Sequence, residues 1–219
     1  MAEIILIYGK SGSGKTRSLK NFGEDEIFLV NVEGKTLPFR KKFRYTVNTD
    51  DMNLIKRGLA TMPCKTAVID DAGYLLTNTF MRGHSSGRSG SGVYDLYNDI
   101  ADRFWDLFKF IKTLPKDVIV YIMMHEDTND MGIVKLKTIG RLLDEKVCLE
   151  GMVTLCLRCV TVDGRHVFRT VTDGMDITKA PEEMFSSDEI ENDLKAVDTT
   201  VREYWDITYT ATAEEKEAV

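Results

Sequence analysis

Residues Gly9 to Thr16 read Gly-Lys-Ser-Gly-Ser-Gly-Lys-Thr and meet the pattern G-x-x-x-x-G-K-[ST] at every fixed position. At average composition those four positions coincide by chance in roughly one chain of this length in a hundred. The flanks sharpen the signal. Ile4-Ile5-Leu6-Ile7-Tyr8 is a short, largely β-branched apolar run, as a buried parallel strand requires. Arg17, Ser18, Leu19 and Lys20 can continue into a helix. Strand, glycine loop, helix is the context in which this pattern cradles phosphate.

The residue types follow from the chemistry. Gly9, Gly12 and Gly14 let the backbone wrap so that several N–H groups face one phosphate chain. The helix starting near Lys15 would add the positive end of its dipole. Lys15 would reach the β- and γ-phosphates, and the Thr16 hydroxyl would ligate Mg2+. Gly9, Lys10, Ser11, Gly12, Ser13, Gly14, Lys15, Thr16 and Arg17 therefore form the expected binding stretch for ATP, with Mg2+ as the accompanying metal. A glycine-rich turn with an exposed lysine is the bland alternative.

A phosphate loop needs carboxylates nearby. Asp70 directly follows the apolar run Ala67-Val68-Ile69, where it can hold the Mg2+ shell. Asp71, next to it, competes for that role or orients water. Hydrolysis also needs a group to position or activate water at the γ-phosphate. Asp71 is one candidate. Glu33 is another, two residues beyond the apolar run Ile27–Asn31, because carboxyl ends of strands face the ligand crevice in open α/β sheets.

The chain has 219 residues, enough for one sizeable α/β domain. No run of about 18 apolar residues is present, so no membrane span is expected. The start of the chain enters a strand without a secretory pattern, which sets the expectation of a cytoplasmic protein. Cys156 and Cys159 form a lone C-x-x-C inside an apolar run. On a strand they would point to opposite faces, so packed, reduced cysteines are expected rather than a zinc site. Net charge is −6, but residues 182–219 hold 12 acids and 3 bases, so the remainder is net +3. A mildly basic body permits a nucleic-acid partner.

Periodicity outlines the rest. Asn48 to Asp51 can cap a helix running to Met62, with Leu54, Ile55, Leu59 and Met62 on its apolar face. Helical spacing from Val93 to Leu114 predicts a long amphipathic helix closed by Pro115. Val118 to Met124 reads as a buried strand. Met152–Val162 and Val167–Val171 read as a hairpin around Asp163-Gly164. Ile190, Leu194, Val197, Val201 and Tyr204 mark a last helix. The expected fold is a mostly parallel sheet with helices on both faces and a C-terminal β-hairpin plus helix. One domain spans 1–206, followed by an acidic flexible tail, 207–219. Residues 81–92 and 126–136 are polar or glycine-rich, and both are expected to be mobile loops.

Asn31-Val32-Glu33-Gly34, Val68-Ile69-Asp70-Asp71 and Met123-Met124-His125-Glu126 each follow an apolar run. With the phosphate loop, Gly140-Arg141 and Thr178-Lys179-Ala180-Pro181, they make the chain resemble the RecA-like P-loop ATPases over roughly residues 3 to 205. It is most similar to small phage-encoded ATP-binding proteins of that superfamily, some of which are ATP-dependent single-strand annealing recombinases. The resemblance implies Glu33 as catalytic carboxylate, Asp70 as metal carboxylate and His125 as γ-phosphate sensor, where RecA itself has glutamine. It implies DNA-contacting loops at 81–92, with Arg82 and Arg88, and at 126–136. It also implies homo-oligomers, rings or filaments, in which Lys135, Lys137 or Arg141 reaches a neighbour's γ-phosphate. A single-strand-binding protein would be a further partner.

Phe39-Arg40-Lys41-Lys42-Phe43-Arg44-Tyr45 interleaves cations with rings, a composition suited to single-stranded nucleic acid. Phe39 and Phe43 individually read better as buried rings of an amphipathic edge. The leading functional expectation is an ATP hydrolase that binds single-stranded DNA and promotes annealing or recombination. The alternatives are a P-loop small-molecule kinase, with Arg82 and Arg88 as lid arginines, and a nucleotide-gated interaction module with little turnover.

Overall fold

The computed structural model describes residues 1–85, 91–140 and 142–208. The strands are β1 (Glu3–Gly9), β2 (Ile27–Asn31), β3 (Tyr45–Val47), β4 (Thr66–Asp70), β5 (Ile119–Thr128), β6 (Val134–Leu136), β7 (Leu155–Val162), β8 (Arg165–Arg169) and β9 (Glu189–Glu191). They form one sheet in the order β3-β2-β4-β5-β1-β7-β8-β9, with β6 paired to β5. From β3 to β7 the path is parallel; β8 and β9 are antiparallel. Every residue of β2 and β4 is buried, as continuous apolar runs between covered faces require.

Helices α1 (Met52–Thr61), α2 (Gly73–Ser85) and α3 (Ser91–Ile111) cover one face. Ile4, Leu6, Val120 and Ile122 meet Ile55, Leu75 and Phe104 there. Helix α4 (Leu194–Tyr204) and a short 3-10 turn (Thr16–Asn21) cover the other, where Ile5, Ile7 and Val68 meet Leu19, Val197 and Val201. The alternating side chains of β1 thus serve two cores. Cys156 and Cys159 divide between them in the same way. Cys148 is exposed rather than packed.

Several sequence expectations shift. Of the stretch 81–92, Met81–Ser85 completes α2 and α3 begins at Ser91, while residues 86–90 lie outside the described residues. Arg88 lies outside the described residues, as does the tail from 209 on. The stretch 126–136 is largely a β-hairpin, because β5 continues through Thr128 and turns back into β6. Leu54 is 44 % exposed; Met52, Ile55 and Leu59 form the buried stripe, since Asp51 is the N-cap and sets the rotation of α1. Ile190 belongs to β9, not the final helix.

A buried ion pair anchors α4 to the sheet. Arg202 Nε donates to Asp198 Oδ2 (2.8 Å), and its other nitrogens reach the Asp117 and Lys65 carbonyls and Thr66 Oγ1. Tyr121 Oη donates to Asp198 Oδ1 (3.1 Å). Removing one partner leaves the other charge stranded in the core. Arg202→Met is expected to cost about 3–5 kcal/mol in urea unfolding, with Asp198→Asn in the same chain restoring part of it. A loss under about 1 kcal/mol would mean that the pair does not hold the helix.

Candidate nucleotide site

The site lies at the carboxyl ends of β1, β4 and β5. Parallel pairing places Gly9 beside His125, and Asn31 at the end of β2 beside Asp70. Residues far apart in sequence thereby converge on one crevice, lined by Gly12, Gly14, Lys15, Asp70, Asp71 and His125, with Ser11, Thr16 and Arg17 also on its wall.

Loop 10–15 follows the strand without a step. A Cβ on Gly9 would lie 2.2 Å from the Cys159 carbonyl oxygen, so only glycine lets β7 pass this closely. Gly14 has φ +107, and a Cβ there would also strike the His166 ring. Ser13 N–H donates to the Lys10 carbonyl (3.2 Å), closing the turn. Lys15 is 6 % exposed, and its ammonium donates to the Gly9 and Lys10 carbonyls (2.8 and 2.9 Å). Burial holds its pKa below the ordinary lysine value. Beyond Thr16 the chain forms a six-residue 3-10 turn rather than a long helix, so the loop's own N–H groups and Lys15 provide most of the positive field.

Thr16 Oγ1 donates to Asp70 Oδ2 at 2.8 Å. Among the described residues, two buried side-chain polar atoms have no hydrogen-bond partner: Asp70 Oδ1 and Ser13 Oγ. Asp70 lies on the crevice wall, and Ser13 lies in the glycine loop. A buried carboxylate oxygen without a partner is costly unless something charged meets it. Burial, reinforced by neighbouring Asp71, raises the Asp70 pKa to about 6. These donors fit Mg2+: a hydroxyl and a carboxylate oxygen side by side, with one oxygen unsatisfied. Thr16 and Asp70 would hold it, and the ion would neutralise phosphate charge.

Asp70 also makes a stability prediction. Its native pKa lies above the ordinary carboxylate value, so the protonated form is favoured on folding. The penalty is fully present above about pH 6 and is relieved as pH falls toward 4. Asp70→Asn should therefore stabilise the nucleotide-free protein at pH 7 by on the order of 2–3 kcal/mol and abolish the nucleotide's Mg2+ dependence. A variant less stable than the parent at pH 7 would refute the strained-carboxylate reading.

Asp71 is 7 % exposed and adopts a left-handed backbone, φ 59, uncommon for a non-glycine residue. It lies between Lys35, whose ammonium meets Oδ2 at 2.5 Å, and His125, whose Nδ1 is 3.8 Å from Oδ1. Lys35 also sits 5.1 Å from the centre of the Tyr74 ring. Burial depresses the Lys35 pKa, but the Asp71 bond and the charges of Asp71 and Asp70 together outweigh it and the net shift is upward. Burial and then the Lys15 charge lower the His125 pKa, which favours a neutral imidazole. Its ring packs edge-on against Tyr74.

Glu33 is elsewhere. Its carboxylate accepts from Asn78 Nδ2 (2.8 Å) on α2, within a cluster that includes Asp50 and Arg82, and it does not line the crevice. Arg82 is bound to Asp50 (2.7 Å). Lys41 donates to the Lys20 and Phe22 carbonyls, closing the 3-10 turn, whereas Arg40, Lys42 and Arg44 are exposed. Phe39 and Phe43 pack edge-to-face against the second core, as their amphipathic reading expects. Glu126 is held by Arg158 (2.9 and 3.1 Å). Lys135 is half-buried on β6. Lys137 is exposed, and its N–H donates to the His125 carbonyl (2.8 Å). Arg141 lies outside the described residues.

The crevice wall Lys35–Pro38 and His166 escaped the sequence reading. Lys35 is aimed by Asn31, whose side chain bonds both backbone groups of Lys35 (2.7 and 3.1 Å). His166 arrives on β8 and bonds the Ser13 carbonyl through Nδ1 (2.7 Å). Only the Asp163-Gly164 turn hinted that this strand folds back toward the loop.

A parallel α/β sheet with a glycine loop after β1, and a Thr–Asp pair across that loop, defines a P-loop NTPase. The chain belongs to the AAA domain family, whose profile matches residues 1–181. Comparison with curated proteins finds no match. AAA-type P-loop ATPases generally use ATP and Mg2+. Among the described residues, no helix is long and apolar enough to cross a membrane.

Proposed function

We propose that the protein hydrolyses MgATP and couples that cycle to single-stranded DNA, promoting annealing or recombination in the manner of the phage-encoded RecA-like group. The observation that carries hydrolysis is the unsatisfied Asp70 Oδ1 beside the Thr16–Asp70 bond, with Asp71 and a neutral His125 on the same wall. Lys15 binds the phosphates, Asp71 rather than Glu33 positions water, and His125 donates to a phosphate oxygen or to that water. Asp71 takes the role because it lines the crevice and Glu33 does not.

The DNA part has its own support. Lys35, Thr36, Leu37 and Pro38 form one wall of the crevice, and the exposed cations Arg40, Lys42 and Arg44 follow within a few residues. A ligand at the phosphate loop would thus press on the segment that carries these cations. Arg82, paired to Asp50 outside the crevice, offers little to a kinase lid. Head-to-tail oligomers, with Lys137 acting on a neighbour's phosphates, complete the proposal. Mixing Lys15→Ala with Lys137→Ala subunits should restore some activity if sites are shared.

The test is phosphate release with and without single-stranded DNA at low salt. The proposal expects stimulation of about tenfold that fades steeply with salt and is lost in an Arg40, Lys42, Arg44 triple alanine variant. Turnover indifferent to DNA would refute the coupling. Consumption of ATP only with a small phosphoryl acceptor would point to a kinase.

A further inference from the structure

Among the described residues, three lysine and arginine side chains line the crevice: Lys15, Arg17 and Lys35. Lys15 belongs to the glycine loop, and Arg17 donates to Asn192 Oδ1 (3.3 Å) between β9 and α4. Lys35 stands at the carboxylate end, where its ammonium meets Asp71 Oδ2 at 2.5 Å. The function proposed above gives that ammonium no task.

The backbone fixes where Lys35 starts. Val32 N–H donates to the Asp70 carbonyl (3.3 Å), which carries the β2–β4 ladder past the strand ends. Gly34 N–H donates to the Asn31 carbonyl (3.2 Å), and its φ of +62 suits glycine. The Asn31 side chain then closes the turn on the Lys35 N–H and carbonyl (3.1 and 2.7 Å). Lys35 is thus rooted beside Asp70 and Asp71, and its side chain is the part left to move. That side chain is 55 % exposed, against 10 % for Asp71. The Tyr74 ring lies 5.1 Å from the ammonium and supports it from one side.

In the nucleotide-free chain Lys35 therefore holds the carboxylate assigned above to water. An ammonium there neutralises Asp71 and occupies an oxygen that water would need. An ion pair with one half-exposed partner is weak. A charge-assisted bond to a phosphate is among the strong ones, and a terminal phosphate offers several charged oxygens. The exchange of partners runs toward phosphate. We propose that Lys35 passes from Asp71 to the terminal phosphate of a triphosphate bound in its own chain. Lys35 then separates ATP from ADP, and Asp71 is released for water once the triphosphate is in place. The inference rests on the reading of Gly9–Thr16 as a nucleoside-triphosphate site and of Asp71 as the carboxylate that positions water. The Lys35 charge is already felt at that end of the crevice. It opposes the burial that raises the Asp70 pKa, and it adds to the burial and the Lys15 charge that lower the His125 pKa. His125, held toward neutral, supplies a hydrogen bond and no charge, which leaves a cation to be provided from elsewhere.

The test separates the terminal phosphate from the rest of the nucleotide. Calorimetric titrations with a non-hydrolysable imido analogue of ATP and with ADP, both with Mg2+, are run on the full chain, on Lys35→Met and on Lys35→Arg. Methionine keeps an unbranched stem against Tyr74 and removes the charge; arginine keeps the charge. Lys35→Met should lose about tenfold to 100-fold in affinity for the triphosphate analogue, the range for one charge-assisted bond, and stay within about twofold for ADP. Lys35→Arg should recover most of the triphosphate affinity. Parallel loss of both ligands in Lys35→Met would make Lys35 a support of the loop, and unchanged affinity for both would leave it on Asp71 throughout. Either result overturns the exchange while the phosphate loop stands. An arginine variant no better than the methionine variant would likewise show that charge is not what is read. A folded parent chain that binds neither ligand would instead overturn the nucleotide reading, and the exchange with it. The role of Asp71 is decided separately, by the turnover of Asp71→Asn.

Discussion

Lys15→Ala is expected to weaken MgATP binding by about 100-fold or more, because one ammonium makes charge-assisted bonds, each worth about 1.5–3 kcal/mol, to phosphates in a poorly hydrated site. In the nucleotide-free chain that ammonium is bound to the Gly9 and Lys10 carbonyls of its own loop and belongs to neither apolar core. The sheet and helices should survive its loss. Titration with a fluorescent ATP analogue, beside a circular dichroism melt, separates the two quantities. Unchanged affinity in a folded variant would show that Gly9–Thr16 is a structural turn. Unfolding of the variant would show that Lys15 stabilises the turn itself.

Asp71→Asn should leave MgATP affinity within about threefold and lower turnover by about 100-fold to 1,000-fold, the range for losing a positioned carboxylate and its charge. Asparagine preserves the side-chain size and tolerates the left-handed backbone at this position. What disappears is the negative charge between Lys35 and His125. Glu33→Gln should change turnover by less than about threefold, since its carboxylate bonds Asn78 outside the crevice. The opposite pattern, a dead Glu33→Gln beside a working Asp71→Asn, would return the role to Glu33. The resemblance to RecA-like ATPases favours Glu33; the packing of α2 against the turn after β2 favours Asp71.

Much of the site was legible because it depends on contiguous residues. Gly9 to Thr16 is one uninterrupted segment, and Asp70 follows an apolar run that ends where the strand ends. His125 is reached the same way from Val118–Met124. The sheet and its helices follow from apolar periodicity, which records burial directly. Lys35 and His166 escaped because their positions depend on partners distant in sequence or on turn geometry. Lys35 is aimed by the Asn31 side chain, and His166 is delivered by the β7–β8 hairpin to the Ser13 carbonyl. The short strands β3, β6 and β9 have three residues each, too few for a period to emerge. Segments 81–92 and 126–136 read as loops because glycine, serine and acids dominate them. In the fold, α2 extends through Ser85 by packing on α3, and β5 extends through Thr128 by pairing with β6. Tertiary pairing overrode local composition at 81–85 and at 126–136.

The central claim is that this crevice hydrolyses MgATP, and it is tested most directly by phosphate release from the full chain in a single reaction series. MgATP is supplied alone, with excess chelator, and to Asp71→Asn, with bound nucleotide measured in parallel. Phosphate release that requires Mg2+ and is lost in Asp71→Asn, while that variant still binds ATP, is the expected result. A parent chain that binds MgATP and releases no phosphate, with or without single-stranded DNA, would contradict it and leave a nucleotide-gated binding module.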